Sequence, residues 1–335
     1  VASATGAAAA AAADGPSSSG GRGRLLVTAG GDRAVRVWLP GRADPLLELT
    51  HERRTFRPGG VRSASAGAEQ RGRGEGGAAA AARQNPPFQH AVTAAQFYYL
   101  DKFILVSSGS RIFMYKYDIS SELCRPKDDL VRHLSTGKYS LAHSWRAPAG
   151  RATCLAAANA LLSPLVACGG SDRGLHLFDA AAGGALAATI PDAHARPPAS
   201  LVLPPGAAFD NCAQAACDVI LSTAPDGAVH LWDIRSQARA IRFAAHQNRR
   251  EALSANLSPC MRFVATGSED KCAYLYDLRS TGEVVAKLKG HTDTVATALF
   301  NPCHPQLATA GYDGQLRFYT CSNTGGIRRG VREGM

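Results

Sequence analysis

A chain of 335 residues, 45% hydrophobic and 19% charged, can bury one substantial core and still carry irregular segments. No apolar run approaches the ~20 residues of a membrane-crossing helix, and Val1 is followed by neither the charged region nor the leucine-rich core of a secretory leader. The formal charge of +10 invites a nucleic-acid reading, but much of it sits in stretches such as Arg71-Gly72-Arg73-Gly74 and Arg328-Arg329, where a solvated basic tail accounts for it.

In chain order, residues 1–23 are an alanine run followed by Gly, Ser and Pro, and are expected to be disordered. A domain is expected over 24–322. It is interrupted at 58–87 by an Ala/Gly/Arg-rich insertion, read as a long rim loop because closure cost rises slowly with loop length. Residues 323–335 are expected to be a disordered tail. Nine scattered cysteines include no C-x-x-C pair, and an odd number cannot pair completely within one chain. A reducing compartment (cytoplasmic, nuclear or ciliary) is the expectation, with no metal site.

Within the domain one pattern recurs: a short apolar strand, a small polar residue, an Asp four positions on, and an aromatic six beyond that. It reads Thr28, Asp32, Trp38; then Cys168, Asp172, Phe178; then Ser222, Asp226, Trp232. It continues as Thr266, Asp270, Tyr276 and Thr309, Asp313, Tyr319. A degenerate copy at 103–118 keeps the strands and Tyr115 but has Ser110-Arg111 where the Asp belongs. Turns such as Asp226-Gly227 join two strands with alternating apolar residues, which is a hairpin signature. A lone hairpin cannot bury its face, so such units stack as four-stranded sheets around an axis. The Asp, the hydroxyl, the aromatic and a His that often opens the unit are suited to an internal hydrogen-bond network.

These residues resemble the WD-repeat family over roughly 25–57 and 88–320. Gly290-His291-Thr292-Asp293-Thr294-Val295 and Ser268-Glu269-Asp270-Lys271 are its most specific segments. The resemblance implies an all-β propeller, with six visible blades or seven in the intact protein. It implies structural tetrads His194/Ser222/Asp226/Trp232, His246/Thr266/Asp270/Tyr276 and His291/Thr309/Asp313/Tyr319. Tyr for Trp in the last two leaves the fourth hydrogen bond open, as Cys168 does for the third unit. Further segments, including Phe97-Tyr98-Tyr99-Leu100-Asp101-Lys102-Phe103 and His246-Gln247-Asn248-Arg249, resemble the carboxy-terminal half of a two-propeller member of the family. The first unit shows no opening strand and the last no fourth strand after Tyr319. Either a strand from the Ala-rich start closes the ring or upstream sequence is missing, and the second is the preferred expectation.

No catalytic constellation competes with this reading. Gly169-Gly170-Ser171-Asp172 is a turn of the repeat, and Thr136-Gly137-Lys138-Tyr139 lacks the glycine and Ser/Thr of a phosphate loop. The expected role is a non-enzymatic scaffold, without cofactor, that binds protein partners. Arg196, Asn248, Arg249, Arg250 and Thr292, beside the repeat histidines, are candidate partner contacts, as are Lys116, Tyr117 and the segment 119–150. Leu231-Trp232-Asp233-Ile234-Arg235, with Tyr276-Asp277-Leu278-Arg279 as a weaker copy, resembles the W-D-x-R box of propellers that dock on the adaptor of cullin-four ubiquitin ligases. Arg235 and Arg279 would then donate forked hydrogen bonds to an adaptor carboxylate. RNA binding through the Arg-Gly insertion is the disfavoured alternative.

Overall fold

The computed structural model describes residues 11–12, 25–40, 43–49, 88–117, 139–148, 150–159, 164–204, 218–280, 283–302, 304–321 and 327–331. Among them the ordered elements are strands, arranged as six four-stranded antiparallel sheets, each of four strands consecutive in sequence. Sheet 1 holds Ala11–Ala12, Leu26–Ala29, Val35–Trp38 and Leu47–Leu49, and sheet 2 holds Val92–Tyr98, Phe103–Ser108, Arg111–Tyr117 and Tyr139–Arg146. Sheet 3 comprises Ala152–Ala157, Leu165–Gly170, Leu175–Asp179 and Ala185–Ile190. Sheet 4 follows with Ser200–Val202, Val219–Ala224, Ala228–Asp233 and Ala238–Phe243. Sheet 5 is Ala255–Leu257, Phe263–Thr266, Cys272–Asp277 and Val284–Lys289. Sheet 6 is Val295–Phe300, Gln306–Gly311, Leu316–Cys321 and Ile327–Val331.

The middle strands are buried on both faces, as in Val219–Ala224 and Leu175–Asp179, because a sheet lies against each side. Their sequences are accordingly apolar on both faces, broken by the polar residues of the internal networks such as Ser222 and His176. Outermost strands such as Ala238–Phe243 and Val284–Lys289 alternate with Arg and Lys and face solvent at the rim. Five apolar clusters join sheet 1 to 2, 2 to 3, 3 to 4, 4 to 5 and 5 to 6. Sheet after sheet packs around a common axis, which is a β-propeller. Between sheets 5 and 6 the backbones approach so closely that a Cβ on Gly267 would sit 2.0 Å from the Val295 carbonyl oxygen.

The spacing of the repeat aspartates follows from the hairpin turn. Each is followed by a residue in the left-handed region: Arg33, Arg173, Gly227, Lys271 and Gly314, with φ between 62° and 84°. Asp32, Asp172, Asp226 and Asp313 each accept the backbone N–H two residues on, at 3.0–3.3 Å, which fixes the turn.

Three readings change here. Ala11–Ala12, inside the stretch expected to lack structure, pairs with Leu26 and Val27 and gives sheet 1 its opening strand. Ile327–Val331 pairs with Arg317–Cys321 and supplies the fourth strand expected to be missing after Tyr319. Its Ile-Arg-Arg-Gly-Val sequence lacks the alternation that would mark a strand, and the pairing rests on backbone groups. Lys116 and Tyr117 end the third strand of sheet 2, and Tyr139–Arg146 from the segment 119–150 forms its outer strand, so these are sheet before they are surface. The rest of 1–23 and 323–335, the insertion 58–87 and residues 118–138 lie outside the described residues.

Candidate interaction faces and the histidine–aspartate networks

Sheet 4 carries a complete relay. His194 Nδ1 donates to Asp226 Oδ2 at 2.9 Å, its Nε2 meets the Ser222 hydroxyl at 2.7 Å, and Trp232 Nε1 donates to the same oxygen at 2.8 Å. One neutral tautomer satisfies every link. Sheet 6 repeats it from His291 to Asp313 at 3.0 Å and to Thr309 at 2.8 Å, while Tyr319 turns its hydroxyl to the Lys289 carbonyl instead. Sheet 5 departs from the expected tetrad. His246 Nδ1 pairs with the Tyr276 hydroxyl at 3.0 Å, Thr266 donates to backbone carbonyls, and Asp270 accepts from Tyr274 and Lys287 at 2.6 Å each. His246 Nε2 and Asp270 Oδ1 are left buried without a partner. The cause is competition: Tyr274 and Lys287, on neighbouring strands, reach Asp270 and pull it out of the network.

Sheet 3 lacks the opening His, and Cys168 is a buried thiol in place of the hydroxyl. His176, four residues after Asp172, fills the role by placing Nε2 3.0 Å from Asp172 Oδ2. In sheet 4 the equivalent residue, His230, stacks on His194 with ring centroids 4.3 Å apart and an interplanar angle of 7°. Both were missed in the sequence, although a His four residues after the turn Asp is a readable signal. In sheet 1 Trp38 Nε1 donates to Thr28 at 2.7 Å, and Asp32 pairs with Arg36.

Strand direction sorts the candidate contacts onto two opposite faces. The turns holding Asp226, Asp270 and Asp313 share a face with the connections that carry 194–196, 246–250 and 291–292. There Arg196 Nη1 donates to the Arg249 carbonyl at 3.0 Å, drawing Arg196, Arg249 and Arg250 together. Glu269 Oε1 accepts the backbone N–H groups of Arg249, Arg250 and Glu251 at 2.8, 2.6 and 3.1 Å, so the basic loop is pinned while its guanidinium groups face solvent. Exposed Thr292 is held by its N–H to Asp313 at 3.0 Å. Asn248 does not belong to this surface: it is 0% exposed, and both side-chain polar atoms lack partners. Arg235 and Arg279 lie on the far face, on turns capped by Asp233 and Asp277. The Arg235 side chain is 76% exposed, 3.8 Å from Asp218. The repeat aspartates do not converge on one cleft; each is engaged within its own sheet and the connection leading into it.

The WD40 family model (WD domain, G-beta repeat) matches residues 240–277 and 282–320, the units of sheets 5 and 6. The chain carries WD repeats. Similar proteins include the WD repeat-containing protein 26 homolog of Drosophila melanogaster, 37% identical over 27% of this chain and 15% of that protein. Protein SOF1 of Saccharomyces cerevisiae is 29% identical over 30% of this chain and 20% of its own length. The U3 small nucleolar RNA-associated protein 15 of the same yeast is 38% identical over 19% and 13%. The matched stretches thus span a fifth or less of each relative. A chain of the crystal structure of a mitotic checkpoint complex superposes with a TM-score of 0.60 at 15% identity, over 92% of this chain and 76% of that one, a likeness of fold.

Burial shapes the titration of two histidines, His230 in sheet 4 and His246 in the connection leading into sheet 5. Burial, reinforced by the neighbouring His194, pushes His230 down to about 4. Burial alone drives His246 to about 4, against the opposing charges of Asp270 and Asp226. Both rings are therefore neutral in the fold, whereas an unfolded His titrates near ~6.5. The unfolded chain gains protons that the fold refuses, so this stability is complete above ~6.5 and is lost as pH falls toward 4. The urea midpoint is expected to drop between pH 7 and 4.5, and to drop less in a His230→Gln/His246→Gln chain. A midpoint flat across that range would contradict the burial of both rings.

Proposed function

We propose that this chain is a non-catalytic scaffold whose basic loops, Arg196, Arg249 and Arg250, receive an acidic segment of a protein partner. A WD-repeat propeller is generally a protein-interaction platform, and its polar residues here are mostly engaged in internal networks. The observation that carries the reading is the three backbone bonds to Glu269, which order the loop before any partner arrives. A loop whose backbone is already ordered presents its arginines to carboxylates with a smaller entropic loss. Proximity labelling with the wild type and with Arg249→Glu/Arg250→Glu tests it. The labelled set is expected to lose specific proteins at unchanged melting temperature; a set indifferent to the charge reversal removes the proposal.

A second reading, docking to a ubiquitin-ligase adaptor, draws on the exposed Arg235 of the far face. Adaptor capture that survives Arg235→Ala and Arg279→Ala, or no capture at all, ends it. A third is suggested by the relative named for a small nucleolar RNA; RNA retention that persists without residues 58–87 would clear that insertion of the role. The segment Phe97–Phe103 and the loop 246–249 further support reading the chain as the second of two propellers, as in WD repeat-containing protein 27, which they resemble. A reducing compartment, cytoplasmic, nuclear or ciliary, fits the unbridged thiols Cys154, Cys168, Cys260 and Cys272.

A further inference from the structure

Sheet 2 carries neither the aspartate nor the histidine of the repeat. Its central hairpin turns in two residues, Gly109-Ser110, because Ser108 pairs with Arg111. In sheet 4 the same turn takes three, Pro225-Asp226-Gly227, because Ala224 pairs with Ala228. The residue lost is the acid. Phe88 stands four residues before Val92, as His291 stands four before Val295, so an aromatic replaces the histidine as well. Phe88 is 0% exposed, and its ring centroid lies 5.7 Å from that of Phe113 and 6.3 Å from that of Tyr115. An aromatic floor has taken the place of the polar relay.

Above that floor the rim is basic. His90, Ser110 and Arg111 line a cleft of about 50 Å³ together with Phe113. The Ser108 hydroxyl donates to the His90 carbonyl at 2.8 Å, and a Cβ on Gly109 would collide with the His90 ring, so the imidazole lies directly on the turn. Arg111 is the cross-strand partner of Arg146, and both are exposed. Like charges directly opposite each other destabilise a strand pair. The N–H groups of Ala147 and Ala152 donate to the carbonyls of Ser110 and Gly109 at 2.9 and 2.8 Å, which brings the backbone of exposed Arg151 to the same turn. The arginine ion pairs among the described residues belong to Arg36, Arg173, Arg235 and Arg262, and to none of these three. Residues 88–117 and 139–152 contain one acid, Asp101, which Asn159 holds at the opposite end of the sheet. The turn acids of the flanking sheets, Asp32 and Asp172, are taken by Arg36 and His176. Three guanidinium groups are gathered with no counter-charge among the described residues.

We propose that this cleft binds a phosphate monoester, presented by a phosphorylated side chain of a protein partner. A phosphoryl group carries roughly −1.5 to −2 charges at neutral pH, which matches a cluster of three arginines better than the single charge of a carboxylate or a phosphodiester. Arg111 and Arg146 offer planar forks to its oxygens, and Ser110 and His90 add polar groups beside them. The cleft has room for only a few non-hydrogen atoms, enough for the phosphoryl group while the rest of the partner stays outside. The turn at 108–111 is the counterpart in sheet 2 of the turns holding Asp226 and Asp313, and so lies on the face of Arg196, Arg249 and Arg250. The inference therefore rests on the reading of that face as the partner surface, and it names a second contact on it.

Thermal melts of the full chain near neutral pH test it, with N-acetyl-O-phosphoserine amide, its unphosphorylated counterpart, inorganic phosphate and dimethyl phosphate as probes. The phosphoserine derivative is expected to raise the melting temperature at concentrations where the serine derivative and the diester do not. Arg111→Gln/Arg146→Gln is expected to weaken that binding about tenfold or more, as charged hydrogen bonds are lost. The ligand-free melting temperature of this variant should hold or rise, because a like-charge pair is gone. Arg249→Glu/Arg250→Glu should leave the phosphoserine response unchanged, so the basic loop and this cleft can fail separately. Equal stabilisation of the wild type and the double glutamine variant overturns the proposal. So does a lower ligand-free melting temperature in that variant, which would make the two arginines structural. An equal response to dimethyl phosphate would assign the cleft to a nucleic-acid backbone, and a stronger one to inorganic phosphate would make the free ion the ligand; either sinks the phosphorylated partner.

Discussion

Replacing Trp232 with alanine is expected to lower stability by about 3–5 kcal/mol. The indole lies buried between sheets 3 and 4, among Ala167, Leu177 and Ile220, and donates its N–H to Ser222 at 2.8 Å. The truncation opens a cavity and deprives Ser222 of a donor. Urea titration followed by circular dichroism measures the loss. Trp38→Ala, which removes the same hydrogen bond from a half-buried position, is expected to cost less. Equal losses would mean that Trp38 is as fully covered as Trp232.

The second large effect belongs to Asp226. Its carboxylate accepts from His194 and from the backbone N–H groups of Ala195 and Ala228, at 2.9, 3.1 and 3.2 Å. Asp226→Ala leaves these donors without a partner and is expected to cost about 1–3 kcal/mol. Asp313→Ala strips sheet 6 of the same support, from His291, Thr292 and Gln315. Burial by itself would raise the Asp226 pKa, but the hydrogen bonds from His194, Ala195 and Ala228 outweigh it and hold the carboxyl below the usual carboxylate range. Stability from this group is therefore complete above about 3.8 and is lost as the pH falls through the depressed value. Asp270→Ala should cost less than either, because one of its two side-chain partners, Lys287, is exposed at the rim and one of its oxygens already lacks a bond. Thermal melts of the three variants rank them, and an Asp270 loss exceeding that of Asp226 would contradict the network assignment.

The propeller was legible because its defining contacts are local. Ser222, Asp226 and Trp232 sit on one hairpin, so a fixed spacing encodes a fixed geometry. Sheet 5 shows where that logic fails. Thr266 and Asp270 keep the spacing, but the fate of Asp270 depends on Tyr274 and on Lys287 from the next strand, which no pattern of single positions registers. Asn248 looked like a surface contact because polar loop residues usually are; its neighbours in space cover it. Strands such as Ala11–Ala12 and Ile327–Val331, whose sequences lack an apolar alternation, leave little trace in the sequence pattern although their backbones pair.

Because each described sheet is built from strands adjacent in sequence, no single sheet waits for the far end of the chain. On the ribosome each unit can close as soon as its own residues emerge and can use the one before it as a template. Assembly then proceeds by accretion, because most contacts within a sheet join strands close in sequence. The same arrangement lets whole units be gained or dropped over evolutionary time without reweaving those already in place.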